Sequence, residues 1–234
     1  MTSLNESLDA RMKRYEKVAS YQFHPRNAII VRVDGVAFHT FTKGANKPFD
    51  GSVSAAMFSA TESVASAAQG CVLAYTQSDE ATFLLTDLQG PNSQGWFGFK
   101  KSKLESVVAS MFTYHFNEYL HRWGDTNLLY KPNRSDNEAF FDARSFSVPL
   151  EDAPNVFVWR QKDCYRNYIQ ALAQHEFGHA AIQGKPVKEL EVELQYKATA
   201  WSQYAYGYTL FNHGSFTGKA TYEEFRNLIE KGTL

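Results

Sequence analysis

The chain has few cysteines and lacks a long apolar run, and each of these shortages excludes a class of protein. Cys71 and Cys164 are the only cysteines among 234 residues, so no disulfide framework is indicated and a reducing compartment is expected. No apolar run approaches the ~18 residues that a membrane-spanning helix needs. Residues 1–6 are polar and do not resemble a signal peptide. We therefore expect a cytoplasmic protein with no membrane partner.

An excess of charge of one sign is also missing. The 24 lysines and arginines nearly balance the 25 aspartates and glutamates, which gives a formal net charge of −1. An RNA partner would therefore have to be held by local basic patches and by metal ions, because no global field attracts it. Aromatic residues, in contrast, make up 15% of the chain and hydrophobic residues 44%, as expected for a folded globular protein.

The spacing of apolar residues predicts both helices and strands. The predicted strands cover residues 28–33, 71–78, 81–86 and 140–148, and segment 204–211 could form an edge strand. The predicted helices cover residues 4–19, 51–69, 100–122, 155–177, 187–194 and 221–229. Loops or irregular hairpins are predicted over residues 35–50 and 130–138. Strands dominate before about residue 150 and helices after it, so we predict an α+β fold.

Acidic residues follow two of the predicted strands. Asp34 comes directly after strand 28–33, and Asp79 and Glu80 follow strand 71–78. If these strands are neighbours, two carboxylates meet at one rim of a sheet, where like charges repel and need cations between them. Hard oxygen ligands favour Mg²⁺, which takes its other ligands from water and substrate phosphates, as in two-metal phosphoryl transfer. Acidic residues are also ordinary in turns, so the spacing alone leaves both interpretations open.

Three runs of sequence are distinctive when taken together: Arg-Val-Asp-Gly-Val-Ala-Phe-His at 32–39, Lys-Pro-Phe-Asp at 47–50 and Ala-Tyr-Thr-Gln-Ser-Asp-Glu at 74–80. They resemble the tRNA-histidine guanylyltransferase family, whose members add nucleotides to the 5′ end of tRNA. The likeness continues in order through 141–144 and 158–164. It implies a palm-like antiparallel sheet of the polymerase and cyclase type, with helices packed on it.

The resemblance also implies a division of the chain. A palm-like catalytic core is expected over residues 1–150. A helical C-terminal part, residues 151–234, is expected to pack on the same core, so that the whole forms a single compact domain.

The same resemblance implies roles for individual residues. Two Mg²⁺ ions would be held by Asp34, Asp79 and the Gly35 carbonyl, and Glu80 joins the two aspartates in the implied catalytic set. The implied nucleotide-binding residues are Asp34, Gly35, Val36, Ala37, Phe38, His39, Lys47, Ser78, Asp79 and Lys103. Contacts to RNA or triphosphate are implied for Lys100, Lys101, Asp163 and Asn167.

The implied reaction has two steps and uses GTP, ATP and tRNA. A 5′-monophosphate end is first activated by ATP or GTP, and the 3′-hydroxyl of an incoming GTP then attacks the activated phosphate. A 5′-triphosphate end would need no activation. The family also implies a homo-oligomer, a dimer or tetramer. Segments 99–103 and 165–171 are more similar to the branch of bacteria and their viruses, which is associated with 5′-end repair of several tRNAs.

Three other functions compete with this hypothesis. A nucleotidyl cyclase would use the same two carboxylates on a palm-like sheet. A zinc protease is indicated by the H-E-x-x-H pattern of His175, Glu176 and His179. Gly178 disfavours a continuous helix there, and Lys185 stands where the longer zinc-binding pattern needs histidine. A non-catalytic RNA-binding relative would not need to keep two repelling carboxylates.

Overall fold

A six-stranded antiparallel sheet forms the centre of the protein. The computed structural model describes residues 6–124, 138–194, 198–211 and 214–232. The strands are β1 (Ala28–Gly35), β2 (Cys71–Gln77), β3 (Glu80–Leu85), β4 (Phe141–Val148), β5 (Tyr208–Phe211) and β6 (Gly214–Thr217). They lie in the order β4-β1-β3-β2-β5-β6, and every neighbouring pair is antiparallel. The sheet and its helices confirm the predicted α+β fold.

Helices cover both faces of this sheet. They are α1 (Leu8–Val18), α2 (Phe38–Phe41), α3 (Gly51–Ala67), α4 (Lys101–Trp123), α5 (Ala153–Phe177), α6 (His179–Ile182), α7 (Val187–Leu194) and α8 (Tyr222–Gly232). Short 3₁₀ turns cover Trp96–Phe99, Leu150–Asp152 and Ala198–Tyr204. None of the helices in the described part of the chain combines the length and apolar character that crossing a bilayer requires.

Strand β1 shows how the sheet separates two cores. Its residues Ile29, Val31 and Val33 pack with α3 and α4 on one face. Ala28 and Ile30 point to the other face, where they pack with α5 and α8. This alternation follows from the two-residue period of a strand, and the run over 28–33, which is apolar except for Arg32, is typical of a strand buried on both faces.

Two local features begin and end the elements next to the rim of the sheet. The Asp50 side chain caps α3 by accepting hydrogen bonds from the Ser52 and Val53 N–H groups, at 2.9 and 3.1 Å. Strands β2 and β3 are joined by a tight turn in which Gln77 pairs with Glu80, and Ser78 takes a positive φ of 50°. Asp79 therefore lies in a hairpin turn, as predicted.

The structure corrects three details of the predicted elements. Strand β3 lies between β1 and β2, so the two strands that carry the acidic residues are not direct neighbours. Within 204–211 only Tyr208–Phe211 is a strand, and it lies between β2 and β6 rather than at an edge. The predicted loop over 35–50 contains α2. Most of the predicted loop over 130–138 lies outside the described residues.

Helix α1 (Leu8–Val18) lies within the predicted helix 4–19. No residue of α1 is buried, and Leu8, Met12, Tyr15 and Val18 are all exposed. Leu4, which belongs to the same predicted pattern, lies outside the described residues. The division of the chain at residue 150 stays a prediction.

Candidate functional site

Acidic side chains meet at one rim of the sheet. Asp34, near the end of β1, lies opposite Glu80 of β3 and Asp142 of β4. Directly paired residues of antiparallel strands place their side chains on the same face, so these three carboxylates share the face that α5 covers. The Gly35 N–H donates to the Asp79 carbonyl at 3.0 Å, which ties the end of β1 to the hairpin turn. The predicted meeting of Asp34 and Asp79 at one rim is thus present.

Asp79 lies in surroundings that disfavour its charge. Partial burial raises the pKa of its carboxyl group, and the nearby Asp34 carboxylate raises it further. A backbone hydrogen bond and the Ser78 hydroxyl, which donates to Asp79 Oδ1 at 3.1 Å, act in the opposite direction. A carboxylate whose ionisation a second carboxylate disfavours is stabilised when a cation binds between the two.

Asp34 has a different neighbour. Its side chain is 36% exposed, and its Oδ2 accepts a hydrogen bond from Arg144 Nη2 at 3.3 Å. The same guanidinium group lies 3.5 Å from Asp142 Oδ1. Arg144 therefore holds two of the rim carboxylates.

Glu80 is buried in an ion network rather than open to the rim. Its Oε2 accepts a hydrogen bond from Arg160 Nη1 at 2.8 Å and lies 3.7 Å from Arg32 Nε. Burial raises the pKa of Glu80, whereas Arg160 and Arg32 lower it and Asp34 raises it. Arg160 also binds Asp163 through Nη2 at 3.0 Å. The Glu80 carboxylate is thus already compensated by guanidinium groups, and its catalytic assignment stays a prediction.

The segment after β1 is fixed by Phe38. A side chain at Gly35 would lie 2.5 Å from the Phe38 ring, so only glycine leaves room for this turn. Phe38 is buried and packs against Phe116 and Phe141, with ring centroids 5.7 and 5.6 Å apart. Phe38 therefore anchors the segment in the core, and its side chain is not available to a ligand.

The other predicted residues of this segment are more accessible. Ala37 has a positive φ of 49°, and Val36 and His39 are exposed. The His39 ring lies 3.1 Å from the Thr40 hydroxyl. Lys47 is exposed beside Pro48, which lines a cavity next to Ser78.

That cavity of about 190 Å³ opens beside the hairpin turn. Aromatic rings build one side of it: Phe49 stacks on Tyr204 with centroids 4.7 Å apart and on Tyr168 with centroids 5.6 Å apart. The remaining lining is mainly polar or small and includes Met57, Thr76, Gln77, Ser78, Cys164, Asn167 and Gly207. A flat apolar ring would fit such a space, with polar groups at its edges.

Of the three predicted lysines at the start of α4, Lys101 is held away from the rim. Lys100, Lys101 and Lys103 lie at the start of the helix. Lys101 pairs with Glu105 and donates to the Ser145 carbonyl at 2.9 Å. Ser145 is three residues along β4 from Asp142, about 10 Å at the usual rise of a strand. Their assignment to RNA or triphosphate stays a prediction.

The last two predicted contacts lie on α5. Asp163 binds Arg160 and Arg166, as its spacing from Arg160 allows, and Asn167 lines the cavity. Arg160 and Trp159 beside them were not among the predicted site residues. Arg32 could have been found, because it lies two residues before Asp34 and must share its face of the sheet.

The H-E-x-x-H pattern does not form a metal site. Helix α5 ends at Phe177, and Gly178, with a positive φ of 81°, separates it from α6, which begins at His179. The two histidines therefore do not share a face of one helix. Across the described ranges, no three histidine, cysteine, aspartate or glutamate side chains come close enough to hold a metal ion.

Comparison with known proteins gives a consistent picture. A family model described as tRNA(His) guanylyltransferase matches residues 9–149. The chain is 34% identical over 196 residues to an uncharacterized protein of Acanthamoeba polyphaga mimivirus, which covers 76% of this chain and 66% of that protein. It is 33% identical to the tRNA(His) guanylyltransferase of Schizosaccharomyces pombe, covering 67% of this chain and 58% of that protein. The chain thus spans less than two thirds of these relatives.

Solved structures resemble the whole fold. A bacterial tRNA(HIS) guanylyltransferase (Thg1)-like protein in complex with ATP has a TM-score of 0.84 and 32% identity, over 97% of this chain and 99% of that chain. Such a protein in complex with GTP has a TM-score of 0.80 and 28% identity, over the same shares. The Saccharomyces cerevisiae tRNA(His) guanylyltransferase, at 21% identity and a TM-score of 0.72, supports the fold alone. These similarities confirm the predicted palm-like fold.

Proposed function

Because the chain belongs to the tRNA(His) guanylyltransferase family, we propose that it is a nucleotidyltransferase that adds guanosine or other nucleotides to the 5′ end of tRNA in the 3′-to-5′ direction. The observation that carries this proposal is the meeting of Asp34 and Asp79 at one rim, next to an aromatic-walled cavity. The similar structures with ATP and GTP support both nucleotides as substrates. The homo-oligomeric state and the cytoplasmic location stay predictions.

The rim residues fit a divalent cation such as Mg²⁺. Asp34 and Asp79 supply hard carboxylate oxygens, and the Gly35 carbonyl lies in the same segment. The charge of Asp34 raises the pKa of Asp79, so a bound cation would relieve an unfavourable pair. We propose two ions held by these groups, which when bound would lower the pKa of the attacking hydroxyl and offset charge on the leaving phosphates.

The nucleotide would lie across the hairpin turn. We propose that its base enters the cavity against Phe49, while its phosphates extend towards Asp34 and Asp79 past Ser78. The N–H groups of Gly35 and Val36 already donate to the carbonyls of Asp79 and Phe140. We therefore propose that the backbone N–H groups that contact phosphate are those of residues 37–39, where α2 begins. The exposed Lys47 would add a positive charge.

The reaction then requires positioning more than covalent chemistry. In the first step the 5′-monophosphate of the RNA attacks the α-phosphate of ATP or GTP and pyrophosphate leaves. In the second step the 3′-hydroxyl of GTP attacks the activated 5′-phosphate and the nucleoside monophosphate leaves. The carboxylates orient the reacting groups, and the cavity holds the base away from the RNA.

The test is an extension assay with end-labelled tRNA that lacks its first nucleotide, supplied with ATP, GTP and Mg²⁺. We expect the native protein to lengthen RNA that carries a 5′-monophosphate or a 5′-triphosphate. D34N and D79N should lower the rate by about 100-fold or more, because each removes a charge that the reaction centre needs. Neither should lower the unfolding temperature much, since each also removes one of two repelling carboxylates.

The matched control is D9N, which changes an exposed aspartate on α1 by the same chemistry. It should extend RNA like the native protein. Absence of any product from both RNA ends, or equal activity of D79N and D9N, would contradict the proposal. A cyclic product from GTP alone, without RNA, would favour the cyclase instead.

A further inference from the structure

We propose that Trp159 is the stacking platform for the 5′-terminal base of the RNA substrate. The inference rests on the proposed function and specifies the side of the site from which the 5′ end of the RNA approaches. Trp159 lies on α5, where neighbouring residues are buried, yet 51% of it is exposed. Large aromatic side chains are mostly buried in globular proteins, so one that is exposed next to a reaction centre needs a reason.

The ring is held firmly although it is exposed. Arg160 Cζ lies 3.9 Å from the ring centroid and Arg32 Cζ lies 5.8 Å from it. Arg160 is fixed in turn by Glu80 and Asp163. A ring that is already ordered loses little conformational entropy when a base stacks on its open side.

Guanidinium groups surround the ring, and each of them also lies beside a carboxylate. Arg32 pairs across the sheet with Arg144 of β4, whose side chain is 51% exposed. The Nε atoms of Arg32 and Arg160 are buried and have no hydrogen-bond partner among the described residues. Guanidinium groups beside an aromatic ring are the usual composition of surfaces that stack bases and follow a phosphate backbone.

The position of Trp159 places it opposite the nucleotide cavity. Across the sheet order β4-β1-β3-β2, the cavity adjoins β2, and Trp159 reaches Arg32 of β1. Asp34 lies on the same strand as Arg32, and Asp79 follows the cavity residue Ser78 in the hairpin turn. Arg32 and Asp34 are two residues apart on one face, about 7 Å along the strand. A base on Trp159 would therefore present its own 5′-phosphate to the carboxylate pair from the side away from the bound nucleotide, as displacement in line requires.

The experiment measures binding of a 5′-monophosphorylated acceptor-stem RNA with either an intact or an abasic 5′-terminal nucleotide. We expect the native protein to bind the abasic RNA roughly tenfold more weakly, within the range found for one base on one aromatic ring. W159A should bind the intact RNA about tenfold more weakly than the native protein and should not distinguish the two RNAs. W159F should keep part of the difference.

The control is W123A, which removes another exposed tryptophan, at the end of α4. It should distinguish the two RNAs like the native protein. Equal binding of both RNAs by the native protein overturns the proposal, and this comparison does not depend on the folding of any variant. It is also overturned if W159A keeps the native preference, or if W159A changes the mass of the protein in sedimentation, because a second copy would then cover the ring.

The extension assay separates this inference from the proposed function. If the native protein extends RNA normally but binds the intact and the abasic RNA equally, the stacking role of Trp159 is refuted and the proposed function is not. Preference for the intact base without any extension refutes the proposed reaction alone.

Discussion

Asp79 and Glu80 are adjacent in the chain, yet their surroundings assign them different roles. Burial raises the pKa of both carboxyl groups. For Asp79 a second carboxylate, Asp34, adds to this cost, whereas for Glu80 the guanidinium groups of Arg160 and Arg32 offset it. The charge of Asp79 therefore needs a bound cation, whereas the charge of Glu80 is already balanced by Arg160 and Arg32. We infer that Glu80 serves to fasten α5 to the sheet.

This inference predicts that E80Q destabilises the fold. The side chains of Glu80 and Arg160 are only 10% and 6% exposed, so losing one charge leaves the other poorly compensated in a buried place. We expect a loss of about 3 kcal/mol in the free energy of unfolding and a fall of roughly 6–12 °C in the unfolding temperature. R160M should have a similar effect, and the double variant should lose less than the sum of both.

Thermal unfolding followed by circular dichroism makes the measurement. E62Q, a change of the same kind at an exposed position of α3, should stay within about 0.5 kcal/mol of the native protein. If E80Q unfolds like the native protein but needs far more Mg²⁺ for activity, Glu80 is a metal ligand and not a fastening group.

At the scale of elements, the sequence predicts what is local and misses what is paired over a distance. The bounds of β2, α3, α4 and α7 are within two residues of the predicted ones, because apolar periodicity and caps such as Asp50 are properties of neighbouring residues. The position of β3 between β1 and β2 depends on pairing between distant segments, which no local pattern contains. The same holds for β5, which β6 removes from the edge.

The residues of the candidate site also divide into those that a local pattern predicts and those that only long-range contacts bring to the site. The two carboxylates could be predicted because each follows a strand that is evident from its own residues. The partner of Glu80 could not be predicted, because Arg160 lies 80 residues further along the chain. Helical spacing does place Arg160, Asp163 and Asn167 along one side of α5, but not which strands that side meets. The apolar spacing of α1 likewise predicts a face without predicting whether anything in the chain covers it.

The end of helix α5 also determines whether the H-E-x-x-H pattern can bind zinc. Because Gly178 ends the helix, His175 and His179 cannot both bind one zinc ion in the way that the pattern requires. We expect H175A and H179A to extend tRNA within about twofold of the native rate, in line with surface changes away from a site. Metal analysis of the native protein should find no stoichiometric zinc. One zinc per chain that H175A removes would contradict this interpretation.

At the scale of the whole molecule, the site lies where three parts of the fold converge. The sheet supplies Asp34, the β2–β3 turn supplies Ser78 and Asp79, and α5 borders the rim with Trp159 on one side and Asn167 on the other. The chain as a whole has a formal charge of only −1, so the proposed binding of RNA would depend on local groups and bound cations rather than on a general positive field. Ligand binding at the rim should therefore stabilise elements that are far apart in sequence.

That coupling gives a prediction for the intact protein. GTP with Mg²⁺, at about 100 times its dissociation constant, should stabilise the native fold by about 2.7 kcal/mol and raise the unfolding temperature by roughly 5–10 °C. The reason is that the nucleotide binds the assembled rim and not the unfolded chain. Chelation of Mg²⁺ should remove most of the increase, because the phosphates then face Asp34 and Asp79 without an ion between them.

In D79N the increase should be lost while the unfolding temperature without ligand stays near the native value, and D9N should respond like the native protein. An increase that persists in D79N, or one that does not depend on Mg²⁺, would show that the nucleotide binds elsewhere on the molecule.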